Sequence, residues 1–315
     1  MIRHKIASYT GWLQRDNYKS FYLALLRVAI CCWLLKEVVL NLPSMNILYG
    51  PDGFVVVKPN FLHRLPGGIA FAKHHYAWFI GAYVASILLF IAGIGRWLTA
   101  IIVFTMINIV QNMNMSIVNG GDMMARLIVF YLIFANSYQY FVLFKEKRPG
   151  VQEQQFTNLL SNLAAFSIML HLCIAYFSSG MLKLMDPYWW RGEALYYAFQ
   201  MERFIGTPLN RYITQYPLLS VAGTYAALAF EILFPVLIWF KKLRKPLLVI
   251  GILFHLSIYI FMMIYAFQVV FVLIYGLFVP HETWLQIMQR YFPWLLRRKP
   301  AIRSSPAITG EKINS

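Results

Sequence analysis

The sequence predicts an all-α integral membrane protein: a bundle of about eight transmembrane helices, both termini cytoplasmic, with two long structured outer loops. Three observations predict it. Of the 315 residues, 60% are apolar and only 13% charged, with a mean hydropathy of +0.58. That is too little charge to coat a soluble domain of this size. Apolar runs long enough to cross a hydrocarbon core of about 30 Å recur along the chain. The basic excess, a formal net charge of +16, lies in short connections between those runs, as in cytoplasmic membrane loops. This setting argues for the lipid bilayer, and against nucleic acid, as the partner of the positive charge.

Taken in order, residues 1–19 form a basic head carrying Arg3, Lys5, Arg15 and Lys19. The first apolar run, residues 21–40, is too long for a signal-peptide core and lacks a small-residue cleavage pattern after it, so it reads as an anchor. Further spans fall at about 76–94, 97–115, 123–144, 159–182 and 218–240. The run 246–280 is too long for one crossing and divides near Tyr265, completing a transmembrane domain over residues 20–283. A basic cytoplasmic tail, 284–315, turns polar after Arg297 and reads as disordered at its end.

Orientation follows from the cations. With the N-terminus inside, the cytoplasmic segments hold eighteen Lys and Arg, including Arg96, Lys145, Lys147, Arg148 and the run Lys241–Lys245. The opposite side holds seven, and Arg27, Lys36 and Arg126 fall within spans. The asymmetry favours both termini inside and an even number of spans. The two long outer loops, 41–75 and 183–217, are rich in Gly, Pro and aromatic residues and read as packed caps. In the second, Tyr188, Trp189 and Trp190 suit the outer interface.

Ionisable groups within spans cost roughly 2.5–3.5 kcal/mol each on insertion scales, which makes them functional candidates. Lys183 ends the fifth span beside Ser178, Ser179 and Gly180, a small-residue patch where another helix can approach closely. Burial there suits a general base, and a snorkelling interfacial lysine is the plain alternative. His255 lies well inside the seventh span and suits a base, a ligand donor or an interhelical bridge. Glu231 needs a cation or a proton at its depth, and Arg27 or Arg126 are candidates to pair with it. Asp122 follows Gly120-Gly121, where it either caps the fourth span or serves as an outward-facing acid. His171 stands about 18 Å along a helix and roughly 120° around it from Lys183, so it cannot share that site through the helix. His74-His75 has no convincing partner set for a metal. The chain has no Walker loop, dinucleotide fingerprint, His-Glu-x-x-His or Cys-x-x-Cys, and Cys31, Cys32 and Cys173 form neither a disulfide framework nor a metal spacing. No internal repeat of the kind found in many transporters is apparent.

Across residues 20–280 these pieces resemble the horizontally transferred transmembrane domain family, related to vitamin K-dependent gamma-carboxylase. The order matches: Leu25-Leu-Arg27-Val, Tyr49-Gly-Pro-Asp-Gly53, Ile94-Gly-Arg-Trp97 and Gly120-Gly-Asp122. Then come Tyr176-Phe-Ser-Ser-Gly180-Met-Leu-Lys183-Leu, Trp190-Arg-Gly-Glu-Ala194, Glu231 and Phe254-His255. The resemblance implies a membrane enzyme in which Lys183 is the base that deprotonates reduced vitamin K, a menaquinol-type hydroquinone. Oxygen and carbon dioxide would be co-substrates, and His255 would lie in the same membrane core. Asp122, Asn114, Glu231 and Arg27 would support the cofactor pocket, with no metal. The implied partner is a secreted peptide or protein, and the implied location a bacterial cytoplasmic membrane.

The sequence also departs from that pattern. Where the carboxylase has an Asn-His pair before span four, residues 111–116 offer Asn112 and Asn114 and no His. The large extramembrane domain that binds substrate propeptides has no counterpart in this chain. The length is similar to that of the sporulation-delaying protein B type, membrane proteins needed to mature a secreted peptide toxin. A non-enzymatic maturation or export partner of a secreted peptide is therefore the alternative expectation.

Overall fold

A computed structural model describes residues 10–53, 64, 67–144 and 149–293. The residues nearest either terminus and the expected cytoplasmic lysines at 145 and 147 lie outside these. Among the described residues every regular element is a helix: α1 (Ser20–Asn41), α2 (Met45–Tyr49), α3 (Gly68–His74), α4 (Tyr76–Ala92), α5 (Arg96–Met113), α6 (Gly120–Leu132) and α7 (Val151–Leu184). They continue as α8 (Pro187–Trp190), α9 (Ala194–Gln200), α10 (Leu209–Gln215), α11 (Pro217–Leu237), α12 (Lys241–Met262), α13 (Tyr265–Tyr275) and α14 (His281–Tyr291).

Three of these, α7, α11 and α12, are long and apolar enough to cross a membrane, or up to five helices if each of two bent pairs is one span. The bent pairs are α3 with α4, at 78°, and residues 267–278 with α14, at 106°. The helix α1 is as long as α12 but carries Arg27, Lys36 and Glu37. The helix α12 buries only Gly251 and His255, leaving Val249, Leu253 and Leu256 exposed. An apolar surface of that kind on a long helix fits lipid rather than water.

Hydrogen bonds gather the helix ends into two groups. At one end, Asn162 Nδ2 donates to Leu13 O and Asp16 O, Asn17 Nδ2 donates to Asn136 O, and Lys19 Nζ donates to Val279 O. At the other, Asn114 Nδ2 donates to Leu48 O at 3.0 Å, tying the end of α5 to α2. There too, Gly206 N and Asn210 Nδ2 donate to Phe261 O at 3.1 and 2.7 Å. These two donors serve a carbonyl freed where α12 stops, at Met263 with φ of 53°.

One expectation changes. The run 123–144 is helical only to Leu132; beyond it the backbone leaves the helix through Asn136–Phe141. Irregular backbone inside an apolar bundle must find polar partners from the protein, and here Arg27, Asn17 and Ser161 supply them. Trp284 of α14 stacks on Tyr22 with ring centroids 4.8 Å apart and donates to Gly276 O, which holds this helix to the start of α1.

The segment after α7 does not hang free. It folds back along the first half of α11, where Tyr225 Oη donates to Trp190 O at 2.6 Å and Leu195 N donates to Thr224 Oγ1 at 3.1 Å. Lys183, though it ends α7, therefore stands beside Glu231. That position is fourteen residues along α11 from Pro217, about 20 Å at helical rise.

Candidate functional site

The close approach of α7 and α11 begins with Gly180. A Cβ placed there would lie 2.8 Å from Ile232 Cγ1 and 3.5 Å from Glu231 Cβ, so only glycine admits α11 at this separation without repacking. Three residues on, Lys183 Nζ donates to both carboxylate oxygens of Glu231 at 2.5 Å and to Ser179 Oγ at 2.9 Å. The Glu231 side chain is 6% exposed and that of Lys183 23%. The turn that follows is fixed locally. Asp186 Oδ1 accepts from Tyr188 N at 2.9 Å, Pro187 opens α8, and Trp190 Nε1 donates to Leu184 O. The turn brings the Trp189 ring to 5.1 Å from Lys183 Nζ, a cation–π distance.

A second polar cluster lies on the same face of α7. Tyr176 precedes Lys183 by seven residues, two turns or about 10 Å along the helix. Its hydroxyl lies 2.5 Å from His255 Nε2 and 2.5 Å from Tyr275 Oη. His255 Nδ1 pairs with Gln268 Oε1. With the amide oxygen facing the ring, His255 Nδ1–H donates to Gln268, Nε2 accepts from Tyr176, and Tyr176 accepts from Tyr275. All four residues are buried. On α11, Phe230 and Phe234 pack their rings on Tyr176 at 5.4 and 4.9 Å. Glu231, between them in sequence, takes Lys183. One stretch of α11 thus supports both clusters.

The other candidates are placed elsewhere. Glu231 pairs with Lys183 rather than with Arg27 or Arg126, a correction to the pairing expected from sequence. Arg27 is fully buried, and its guanidinium donates to Phe90 O at 2.5 Å, Phe141 O at 2.7 Å and Tyr140 O at 3.3 Å. It closes the C-terminal end of α4, where Gly93 at φ +73° leaves room for its Nη1. Asp122 forms a capping box: its carboxylate accepts from Asn119 N at 2.9 Å, and Asn119 Oδ1 accepts from Gly121 N and Asp122 N. Asn114 holds Leu48 O and accepts from Ser116 N. These three carry structural bonds. Of the six candidates, the structure joins Lys183 with Glu231 and places His255 in the neighbouring cluster.

Gln268 and Tyr275 were not singled out from sequence, and Tyr176, Ser179 and Trp189 were noted there only as part of the segment around Lys183, as a small residue beside it and as an interface ring. A heptad step back from Lys183 marks Tyr176, and Gln268 is an amide in an otherwise apolar run, so both carried a readable signal. Comparison of the chain with protein-family models, characterised proteins and solved structures gives no match.

Proposed function

We propose that the chain is a polytopic membrane enzyme of eight crossings, both termini cytoplasmic, that modifies a peptide or protein with a lipid-soluble hydroquinone, using Lys183 as base. The single observation that carries this reading is the Lys183–Glu231 pair, set between helices and roofed by Trp189. Three helices long and apolar enough to cross a membrane, or up to five with the bent pairs, support a polytopic reading, and the gathering of Lys and Arg in alternate connections supports an even count.

Bound to Ser179 and both oxygens of Glu231, Lys183 Nζ is held as an ammonium, which is not yet a base. Passing one proton to the Glu231 carboxylate gives a neutral amine beside a neutral acid. That exchange leaves the net charge of the pair at zero. The amine then accepts a proton from an acidic hydroxyl, and Glu231 holds the one displaced. The donor set fits a hydroquinone hydroxyl: Lys183 keeps part of its side chain open, and Trp189 offers a flat aromatic face. When bound, the hydroquinone with oxygen would supply the stronger base needed to remove a proton from carbon.

The test is mass spectrometry of lipid-soluble and peptide material co-purifying with the detergent-extracted protein, wild type against Lys183→Ala. A bound quinone, or a peptide whose mass change depends on Lys183, is the expected result. An unmodified peptide held equally by both proteins would instead favour a non-enzymatic maturation or export partner. The exposed rings of Tyr188, Trp190, Tyr197, Tyr212 and Tyr216 on the fold-back segment are the feature that supports that second reading.

A further inference from the structure

The buried cluster around His255 is complete except at one atom. Gln268 is 4% exposed and its Oε1 is taken by His255, yet its Nε2 has no hydrogen-bond partner. Turning the amide over would only exchange which of its two heads is unpartnered. An orphaned amide donor in an apolar interior costs about 1–3 kcal/mol, so its retention points to a group that meets it. The surroundings say what kind. The imidazole of His255 is ringed by Phe254, Phe267 and Phe271 with centroids 5.5, 6.1 and 5.5 Å away. Gly251, one turn before His255, leaves room for the Tyr275 hydroxyl that closes the far side. A single outstanding N–H among aromatic side chains suits a carbonyl oxygen carried by an apolar, aromatic group.

We propose that Gln268 is a ligand-binding residue whose Nε2–H donates to the carbonyl of a quinone-type ring held beside His255. The inference rests on the quinone reading above and adds the contact that selects the carbonyl. His255 acts here as a positioning residue: its Nδ1–H fixes the amide oxygen and so aims the amide nitrogen.

The test removes the interaction from both sides. Binding of 2-methyl-1,4-naphthoquinone and of 2-methylnaphthalene, which lacks the carbonyls, is measured by equilibrium dialysis of the full-length protein in micelles, corrected for empty micelles. Wild type should prefer the quinone by roughly tenfold, the scale of one buried hydrogen bond. In Gln268→Leu, and in Gln268→Met, which keeps more of the side-chain length and also lacks the donor, that preference should fall to near unity. Because the readout is a ratio on one protein, a general loss of stability does not imitate it. A preference that survives both substitutions overturns the assignment to Gln268 and leaves the quinone reading standing. Failure of the wild type to bind either compound overturns both. A phospholipid retained through Gln268, with no preference for the quinone, overturns the ring and assigns the carbonyl to a lipid ester.

Discussion

Lys183 Nζ lies 2.5 Å from both carboxylate oxygens of Glu231, joining the end of α7 to the middle of α11. Removing one partner strands the other. Lys183→Met or Glu231→Leu alone should destabilise the protein by about 3 kcal/mol, the lower end for a buried pair because Lys183 is partly exposed. The double variant should recover most of that loss, since two apolar side chains leave no uncompensated charge. Activity should be lost in all three. Thermal unfolding in detergent, read with peptide modification, checks it; a double variant as unstable as the singles together would mean that the two residues act apart.

Gly180 sets the distance over which that pair forms. Gly180→Ala places a methyl 2.8 Å from Ile232 Cγ1, an overpacking change of about 1–3 kcal/mol. Helix propensity runs the other way by about 1 kcal/mol, so a net loss of stability is diagnostic of the contact. Shortening the opposing side chain with Ile232→Val should return part of the loss. A Gly180→Ala protein with a raised melting temperature would show that the helices do not meet there.

Asp122 belongs to a cap, and its removal should look different. Asp122→Ala deletes the acceptor for Asn119 N and should cost about 1 kcal/mol. Modification per folded molecule should be unchanged. An Asp122→Ala protein that folds as well as wild type and modifies nothing would reassign the carboxylate to the site.

These contrasts mark how much was legible in the sequence. Arg27, Asp122, Lys183, Glu231 and His255 stand out because charge or imidazole in apolar runs is costly, and that cost needs no partner to be seen. Their pairings were not legible: Lys183 meets Glu231 across 48 positions and Tyr176 meets His255 across 79, and helix packing alone sets those. Gln268 and the hydrogen-bonding role of Tyr176 escaped because neither side chain is charged, though in an apolar core an amide also needs its partners. The shortening of α6 at Leu132 escaped for a similar reason. The apolar run continues to Phe144, and it is the distant Arg27 and Asn17, with Ser161, that meet the backbone where it leaves the helix.

Lys19 sits outside the apolar runs, where α1 begins. Burial pushes its ammonium down from 10.5 to about 8, the nearby Arg244 adds to the shift, and Glu282 opposes it. The folded-state value is depressed for a cation, so the charged form weakens the fold. That penalty is fully present below about pH 8 and is relieved as pH rises from 8 towards 10.5. Lys19→Met should therefore be the more stable protein at pH 7, and the gap to wild type should narrow by pH 10. Melting temperatures of both proteins across that range check the sign; a gap that widens would mean that the charge of Lys19 stabilises the fold through its bond to Val279 O.

Arg27 supplies the last and sharpest separation of structure from chemistry. Its guanidinium serves Phe90, Tyr140 and Phe141 carbonyls at once, and the backbone around residue 140 has no helix to satisfy it. Arg27→Met would leave those carbonyls bare in an apolar interior, and a loss of about 3 kcal/mol or more is expected from desolvated acceptors. Arg27→Lys keeps the charge but replaces a planar fork by one compact head, which cannot span carbonyls on two segments. It should recover only part of the loss. A supporting role in the pocket predicts the reverse ordering, with melting temperature held and modification lost in both variants. Measuring the two quantities on the same preparations decides between them. If folding fails before activity does, Arg27 acts by holding the α4 end against the irregular strand of chain that follows α6.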